Sequence, residues 1–367
     1  MNKLSLEETG TRTARTSVTP EEAGLAFFRA AYDAFEAASR SVGGVAERYY
    51  RIARCPIRLR FAGPALMPYI TPAFEHLASE RCAKASLTVC FFDTSSTRTR
   101  MPPAPWPADA YGPRGEIKGY NSGRIHTLYQ RGVDALHMLD VQTQTAIYWV
   151  RRPEVIPYWE SGFPMRTILH WWTLKRPCLS LHAGAVGEPS GGVLIAGRSG
   201  SGKSTTTLAC LHSDLSYAGD DFVLATLEPS PFVHSLSSSA KLEPENLPRF
   251  PELRSAICNF DHLDKEKALV FLNTYRPRKL CPGFPIRAIL ALQITGLRDT
   301  HVRQASPIVS LRAIAPTTIC QLQGGGEETF AKLSALVKSV PNYILEVGTE
   351  LSQIPRVISN LLAKSGA

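Results

Sequence analysis

The stretch GGVLIAGRSGSGKSTTTLA restricts this chain more than any other. Gly197 to Ser204 fit G-x-x-x-x-G-K-[S/T], preceded by an apolar run that reads as a strand and followed by a run that reads as a helix. In that context the pattern makes a phosphate-binding loop. Successive backbone N–H groups point inward at an anion, and the helix N-terminus adds partial positive charge. Gly197, Arg198, Ser199, Gly200, Ser201, Gly202, Lys203, Ser204 and Thr205 are therefore expected to cradle nucleotide phosphates. Lys203 would bridge the β- and γ-phosphates, and Ser204 would ligate Mg²⁺.

Two adjacent carboxylates, Asp220 and Asp221, follow one helix later in SYAGDD. A helix from Lys203 to about Ser213 carries the chain ~16 Å from the phosphates, at ~1.5 Å per residue. Leu215 to Gly219, extended at ~3.3 Å per residue, brings it back by a similar distance. The pair is thus expected beside the loop, one carboxylate holding the metal and the other accepting a proton from an attacking hydroxyl. The competing reading is a Gly-Asp-Asp turn closed by its own side chain. His182 reaches the same point by register. If CLSLHAGAV and GGVLIAG form a hairpin around GEPSG with Val186 facing Val193, His182 faces Gly197 at the lip of the phosphate site. A histidine on an apolar strand is otherwise a packed core residue.

The 367 residues, 44% of them hydrophobic, are enough for two domains. The expected division is a disordered lead-in over 1–18, a basic α+β domain over 19–176 and an α/β catalytic domain over 177–367. No run approaches the roughly 18 apolar residues of a membrane span. The segment MNKLSLEETGTRTARTS lacks the apolar centre of a signal peptide. The eight cysteines are scattered without a C-x-x-C pair, which points away from zinc and disulfides and towards a cytoplasmic protein. The net charge of +9 has a location: residues 40–176 carry nineteen Lys and Arg against ten Asp and Glu. That surplus is either a solvated surface or a dock for an acidic peptide or protein. With no Lys/Arg block and no recognisable binding module, nucleic acid is not the expected partner.

Thr19-Pro20-Glu21-Glu22 predicts a capped helix running to about Ser39. Alternation from Tyr49, a short helix over 66–77 and the strand SLTVCFF follow. Residues 93–115 read as a mobile surface loop. IKGYNSG, RIHTLYQRG, ALHMLDVQ and TAIYWVRR read as an antiparallel meander. A helix near 165–174 places Trp171 and Trp172 in a core. Beyond the aspartates, FVLATLE reads as a strand and residues 235–285 as irregular. The strand AILALQI, a helix over about 327–338, the strand NYILEVG and a helix from Leu351 close the chain.

Taken together, LHAGAVG, GGVLIAGRSGSGKSTTTLA and GDDFVLATLE resemble the HPr kinase family, whose catalytic domain is related to ATP-dependent phosphoenolpyruvate carboxykinase. That family places a histidine before the strand leading to the phosphate loop and an Asp-Asp pair one helix after it. IRAILALQITG, IAPTTICQLQG and VPNYILEVGTE resemble a sub-branch found with peptide-modifying clusters, including those for lasso peptides. The resemblance implies transfer of the ATP γ-phosphate to a serine of a precursor peptide. It implies Asp220 as base, Asp221 and Ser204 serving Mg²⁺, and His182 supporting the phosphate site. The HPr-directed branch also forms oligomers. The Arg-Gly-x-Gly signature of the bifunctional enzymes is replaced here by HSLSSSAKLEPENLPRF, which argues against phosphorylase activity and against HPr as substrate. Lys241, Lys267, Arg276, Arg278 and Lys279 are further candidates for phosphate or substrate contact, each with a solvated-surface alternative. A kinase for a free small molecule and a nucleotide-gated binding protein remain open beside the peptide kinase.

Overall fold

In the computed structural model, which describes residues 18–321 and 326–365, the capping box closes: Thr19 Oγ1 accepts from the Glu22 N–H, and the Glu22 carboxylate accepts from the Thr19 N–H. Helix α1 (Pro20–Ser41) follows. Its Phe27, Phe28 and Phe35 are buried, each stabilising the fold by about 1.5–3 kcal/mol relative to exposure. All but the last residue of the expected disordered lead-in lies outside the described residues.

Six strands form the first sheet: β1 (Val45–Ile52), β2 (Cys55–Ala62), β3 (Leu87–Asp93), β4 (Ile125–Gln130), β5 (Ala135–Asp140) and β6 (Thr145–Val150), in the order β1-β2-β3-β6-β5-β4. The expected meander β4-β5-β6 is antiparallel, but β6 continues the sheet by pairing parallel to β3. IKGYNSG is not a strand of it; Glu116 and Ile117 make only isolated bridges. Alternate residues take opposite faces, as the pleat requires. Cys90, Phe92, Ile147 and Trp149 meet α1, whereas Val89, Phe91, Ala146 and Tyr148 join the core that contains Trp171 and Trp172. Residues 93–115 are held more firmly than their composition predicts, because Trp106 is 6% exposed and packs edge-on against Phe27, Tyr111, Tyr120 and Tyr129.

One-turn helices α2 (Met67–Ile70), α3 (Thr94–Thr97) and α4 (Tyr158–Gly162) punctuate this half; the expected helix over 66–77 shrinks to α2 and a separate 3₁₀ turn at Glu75–Leu77. Helix α5 (Arg166–Leu174) covers the second face of the sheet. Phe222, Leu224 and Leu236 from the second half of the chain share that core, so the two halves are packed together and not merely linked.

The second half is built on β7 (Cys178–Leu181), β8 (Gly184–Glu188), β9 (Gly191–Ala196), β10 (Ser216–Gly219), β11 (Val223–Thr226) and β12 (Phe232–Ser235). Strands β13 (Ser239–Leu242) and β14 (Ala268–Phe271) pair separately; β15 (Gly283–Ile294), β16 (His301–Gln304) and β17 (Asn342–Val347) complete the large sheet. Its order is β10-β8-β9-β15-β12-β11-β7, with β17 added to β15 and β16 to β17. Long β15 serves two partners in turn: Gly283–Pro285 pair with β12, and its later residues lie parallel to β9 and β17. Helices α6 (Lys203–Ala209) and α10 (Gln353–Ser365) cover one face through Ala209, Ile354 and Ile358. Helices α8 (Pro307–Gln321) and α9 (Gly326–Ser339) cover the other through Ile314, Leu333 and Leu336. The short α7 (Leu272–Tyr275) follows β14. The architecture is mixed α/β.

Three expectations change. The hairpin around GEPSG has the expected register, Val186 opposite Val193, but CLSLHAGAV is two strands: β7 pairs with β11 and β8 with β9 and β10. His182 sits at the switch between them. Helix α8 has no counterpart in the sequence reading, because its apolar residues are spread around the helix and Pro316 lies inside it. Residues 235–285 hold the β13-β14 pair among 3₁₀ turns and are not wholly irregular.

Candidate active site

The loop expected to bind phosphate leaves β9 and enters α6 through backbone conformations that favour glycine. Gly200 has φ +78° and Gly202 φ +91°, left-handed values that a side chain disfavours. Lys203 is buried and turned onto the loop itself, its Nζ donating to the carbonyls of Gly197 (2.8 Å) and Arg198 (3.2 Å). Burial lowers the pKa of its ammonium, and the charges of Asp220 and Asp221 act in the opposite sense. The Ser201 hydroxyl is buried without a hydrogen-bond partner.

The return path drawn from the sequence is the one the chain takes. Helix α6 continues as a 3₁₀ turn to His212, and β10 then runs back to Gly219. Asp220 consequently meets the helix it left: its Oδ1 accepts from Thr207 Oγ1 at 3.1 Å, and its Oδ2 from the Lys241 N–H at 3.3 Å. The Ser204 side chain acts on this carboxylate as well, in the sense that lowers its pKa. Asp220 is 2% exposed; burial, then the charge of Asp221, push its pKa up to about 6.

Asp221 faces the other way and has different partners. Its Oδ1 lies 2.9 Å from His182 Nε2, and its Oδ2 is ion-paired with Lys241 Nζ. Burial alone would raise its pKa, but the Lys241 ammonium, with His182, holds it well below the carboxylate range. Its side chain is 24% exposed and so open to the cleft. The resemblance paired Ser204 with Asp221, the sequence alone leaving the choice open; here the Ser204 side chain acts on Asp220.

His182 is fixed from three sides. Its N–H donates to Thr318 Oγ1 at 3.1 Å, its ring packs 5.0 Å from that of Phe222, and its Nε2 meets Asp221. Burial lowers its pKa, with Asp221 opposing.

These groups line one cleft of about 420 Å³, together with Ser199, Gly200, Gly202, Lys203, Ser204 and Thr205. Lys241 and Lys267 line it too, the latter ion-paired with Glu243 at 2.6 Å. Arg276, Arg278 and Lys279 are not among its lining residues. Arg276 lies over the Tyr275 ring, Arg278 sits on a 3₁₀ turn, and Lys279 Nζ donates to the Ser213 carbonyl. The sequence reading missed Tyr158, Trp159, Glu243, Asn246 and Arg249. None stands in a motif, and only the fold brings them to the loop. In the basic first half, some cations are committed internally, as Arg60 to Glu36, Arg124 to Asp140 and Arg151 to Asp134.

The residues present fit Mg²⁺. Among the described residues no three His, Cys, Asp or Glu side chains cluster as a metal cage. Mg²⁺ needs none, since it binds through one or two protein oxygens and the phosphates of its nucleotide. Ser204 Oγ at the start of α6 and the Asp220 carboxylate, which line the same cleft, are such a pair. Among the described residues, all eight cysteines are free and no helix is long and apolar enough to cross a membrane.

No family model matches this chain, and no curated protein does. Among solved structures, the chain is similar to the Hpr(Ser) kinase/phosphatase from Coxiella burnetii, with 13% identity over 51% of this chain and 99% of that one and a TM-score of 0.31.

Proposed function

We propose that this protein is a Mg-ATP-dependent kinase that transfers the γ-phosphoryl group to a serine hydroxyl of a ribosomally made precursor peptide, of the lasso-peptide type, or of a small protein. The observation that carries this reading is the meeting of Asp220 and Asp221 with Lys203 and Ser204 in one cleft. The phosphate loop binds the nucleotide through backbone N–H groups, and Lys203 leaves its loop carbonyls to take a phosphate oxygen. Ser204 and Asp220 would hold Mg²⁺, which would supply charge neutralisation at the phosphates.

Asp221 is the base in this scheme, reversing the roles carried over from the family. A base must be reachable by the acceptor, and Asp221 is open to the cleft whereas Asp220 is enclosed. The acceptor oxygen bonds to the γ-phosphorus as the bond from that phosphorus to the β–γ bridging oxygen breaks. ADP departs with the bridging oxygen, and the hydroxyl proton passes to Asp221. His182 and Lys241 orient Asp221, and Lys241 stands where charge develops on the transferred group. Positioning and electrostatics supply most of the catalysis. The residues 19–176 would act as the substrate-recognition domain and 177–367 as the catalytic one, in the cytoplasm.

The test is incubation with γ-labelled ATP, Mg²⁺ and synthetic serine-containing peptides, with free serine and glycerol as small acceptors. Label on a peptide serine is the expected result. ATP binding with no label on any hydroxyl overturns the kinase reading.

A further inference from the structure

The acceptor side of the cleft has its own architecture. In the same cleft as the loop, α4 contributes Tyr158 and Trp159 from the half of the chain that precedes it. Both rings are half-buried, and among the described residues neither the Tyr158 hydroxyl nor the Trp159 indole N–H has a hydrogen-bond partner. Partly exposed aromatics with free polar ends are suited to contact another molecule.

This pair is tied to the catalytic groups. The Gly162 carbonyl at the end of α4 accepts from Ser237 Oγ at 2.7 Å and from Ser239 Oγ. Two residues after Ser239 comes Lys241, the partner of Asp221. On the other side the Arg166 guanidinium lies 5.9 Å from the Trp159 ring centroid and 5.4 Å from that of Phe222. Phe222 follows Asp221 in sequence and packs on His182 and Phe163. Trp159 is thus held at a set place relative to Asp221, and the Lys267–Glu243 ion pair lines the same cleft.

Resting on the kinase reading above, we infer that Tyr158 and Trp159 form the acceptor subsite and select a peptide serine whose neighbouring residue is aromatic or large and aliphatic. The neighbour's side chain lies on the Trp159 ring. The indole N–H and the Tyr158 hydroxyl donate to main-chain carbonyls of an extended peptide, which a free small alcohol lacks. The preference is set by the chain that precedes the phosphate loop and not by the loop itself.

The experiment uses the full chain, γ-labelled ATP and synthetic Gly/Ala peptides that carry one serine and differ only in its neighbours, which are Phe, Leu, Ala, Glu or Lys. Phe and Leu neighbours should exceed Ala by roughly tenfold in kcat/KM. Trp159→Ala should bring that ratio close to one by raising KM for the Phe peptide, and Trp159→Phe should keep most of it. Should Trp159→Ala melt early, the Trp159→Phe and Tyr158→Phe variants are read against the same series. Equal rates with Phe and Ala neighbours, a preference for Glu or Lys, or a preference unchanged in Trp159→Ala overturns the inference. Label on free serine or glycerol but on no peptide overturns it together with the peptide acceptor while sparing phosphoryl transfer, and label on nothing overturns all of these.

Discussion

The two walls of the cleft are made of different material. One is the loop Gly197–Thr205, a single stretch of backbone whose N–H dipoles are fixed by two left-handed glycines and the start of α6. The other is made of side chains from four separate stretches: Tyr158 and Trp159, His182, Lys241 with Glu243, and Lys267. The backbone wall is indifferent to what surrounds it, since its geometry is local. The side-chain wall exists only once both halves of the chain have packed together. Between them stand the two aspartates, Asp220 turned to the first wall and Asp221 to the second. The lesson is that two identical neighbours in sequence acquire opposite acidities because each belongs to a different wall.

Substitutions of one aspartate at a time break this comparison most sharply. Asp221→Asn should lower kcat by about 10²–10⁴-fold, the range for removing a general base, with nucleotide binding retained in a fluorescent ATP-analogue titration. Equal loss of binding and turnover would move Asp221 to the phosphate wall. Asp220→Asn should instead stabilise the metal-free protein. The pKa of Asp220 is raised to about 6 from 3.8, so its contribution favours the fold below 3.8 and is lost as pH rises through 6. In chelator the variant should gain on the order of 3 kcal/mol above pH 6, a gain that fades towards pH 4. Melting curves across that range check it. The same variant should need more Mg²⁺ for half-maximal turnover.

The backbone wall is tested by Lys203→Met, which should weaken ATP binding by about tenfold to a hundredfold, the worth of one charged hydrogen bond. Retained binding to the remaining N–H groups would show that the loop works largely without its lysine. The smallest effect belongs to Gly162→Ala. A Cβ there would lie 3.0 Å from Leu269 Cδ1 and 3.6 Å from Lys241 Cδ, a mild crowding that should cost about 1 kcal/mol. Because the tight contact is with Leu269 and the approach to Lys241 is an ordinary one, kcat and the KM for ATP should both change by less than about twofold, measured by steady-state kinetics.

How much of this was legible follows the same division. The phosphate loop, the Thr19 capping box and the register of Val186 with Val193 were readable because each is written within a few consecutive residues. The return of Asp220 to α6 was readable because one helix and one strand have fixed rises. His182 was placed correctly near the loop but on the wrong ladder, since Leu181 and Ala183 are both buried and an apolar run does not show where a strand changes sheets. The Asp220/Asp221 division was not legible, because the residues that separate them, Thr207 and Ser204 on one side and Lys241 on the other, are set by packing. Helix α8 escaped because it has no polar face to give it a period. The aromatic wall escaped because PYWESG carries no motif, and its meaning comes from the chain it faces. Arg276, Arg278 and Lys279 looked like phosphate contacts by charge alone, and the fold puts them elsewhere.

The serine run before β13 joins these matters. Ser235 Oγ meets His76 Nε2 at 2.7 Å, Ser238 N–H donates to the Ala73 carbonyl at 2.8 Å, and Ser237 and Ser239 hold Gly162. All of these are short polar grips on the preceding half, made by a segment that ends at the lysine beside Asp221. Any other front half would have to offer carbonyls and an imidazole at the same spacing, together with an apolar face that takes Phe222, Leu224 and Leu236. The five residues from Ser235 to Ser239 thus act as a polar clasp alongside that apolar seam.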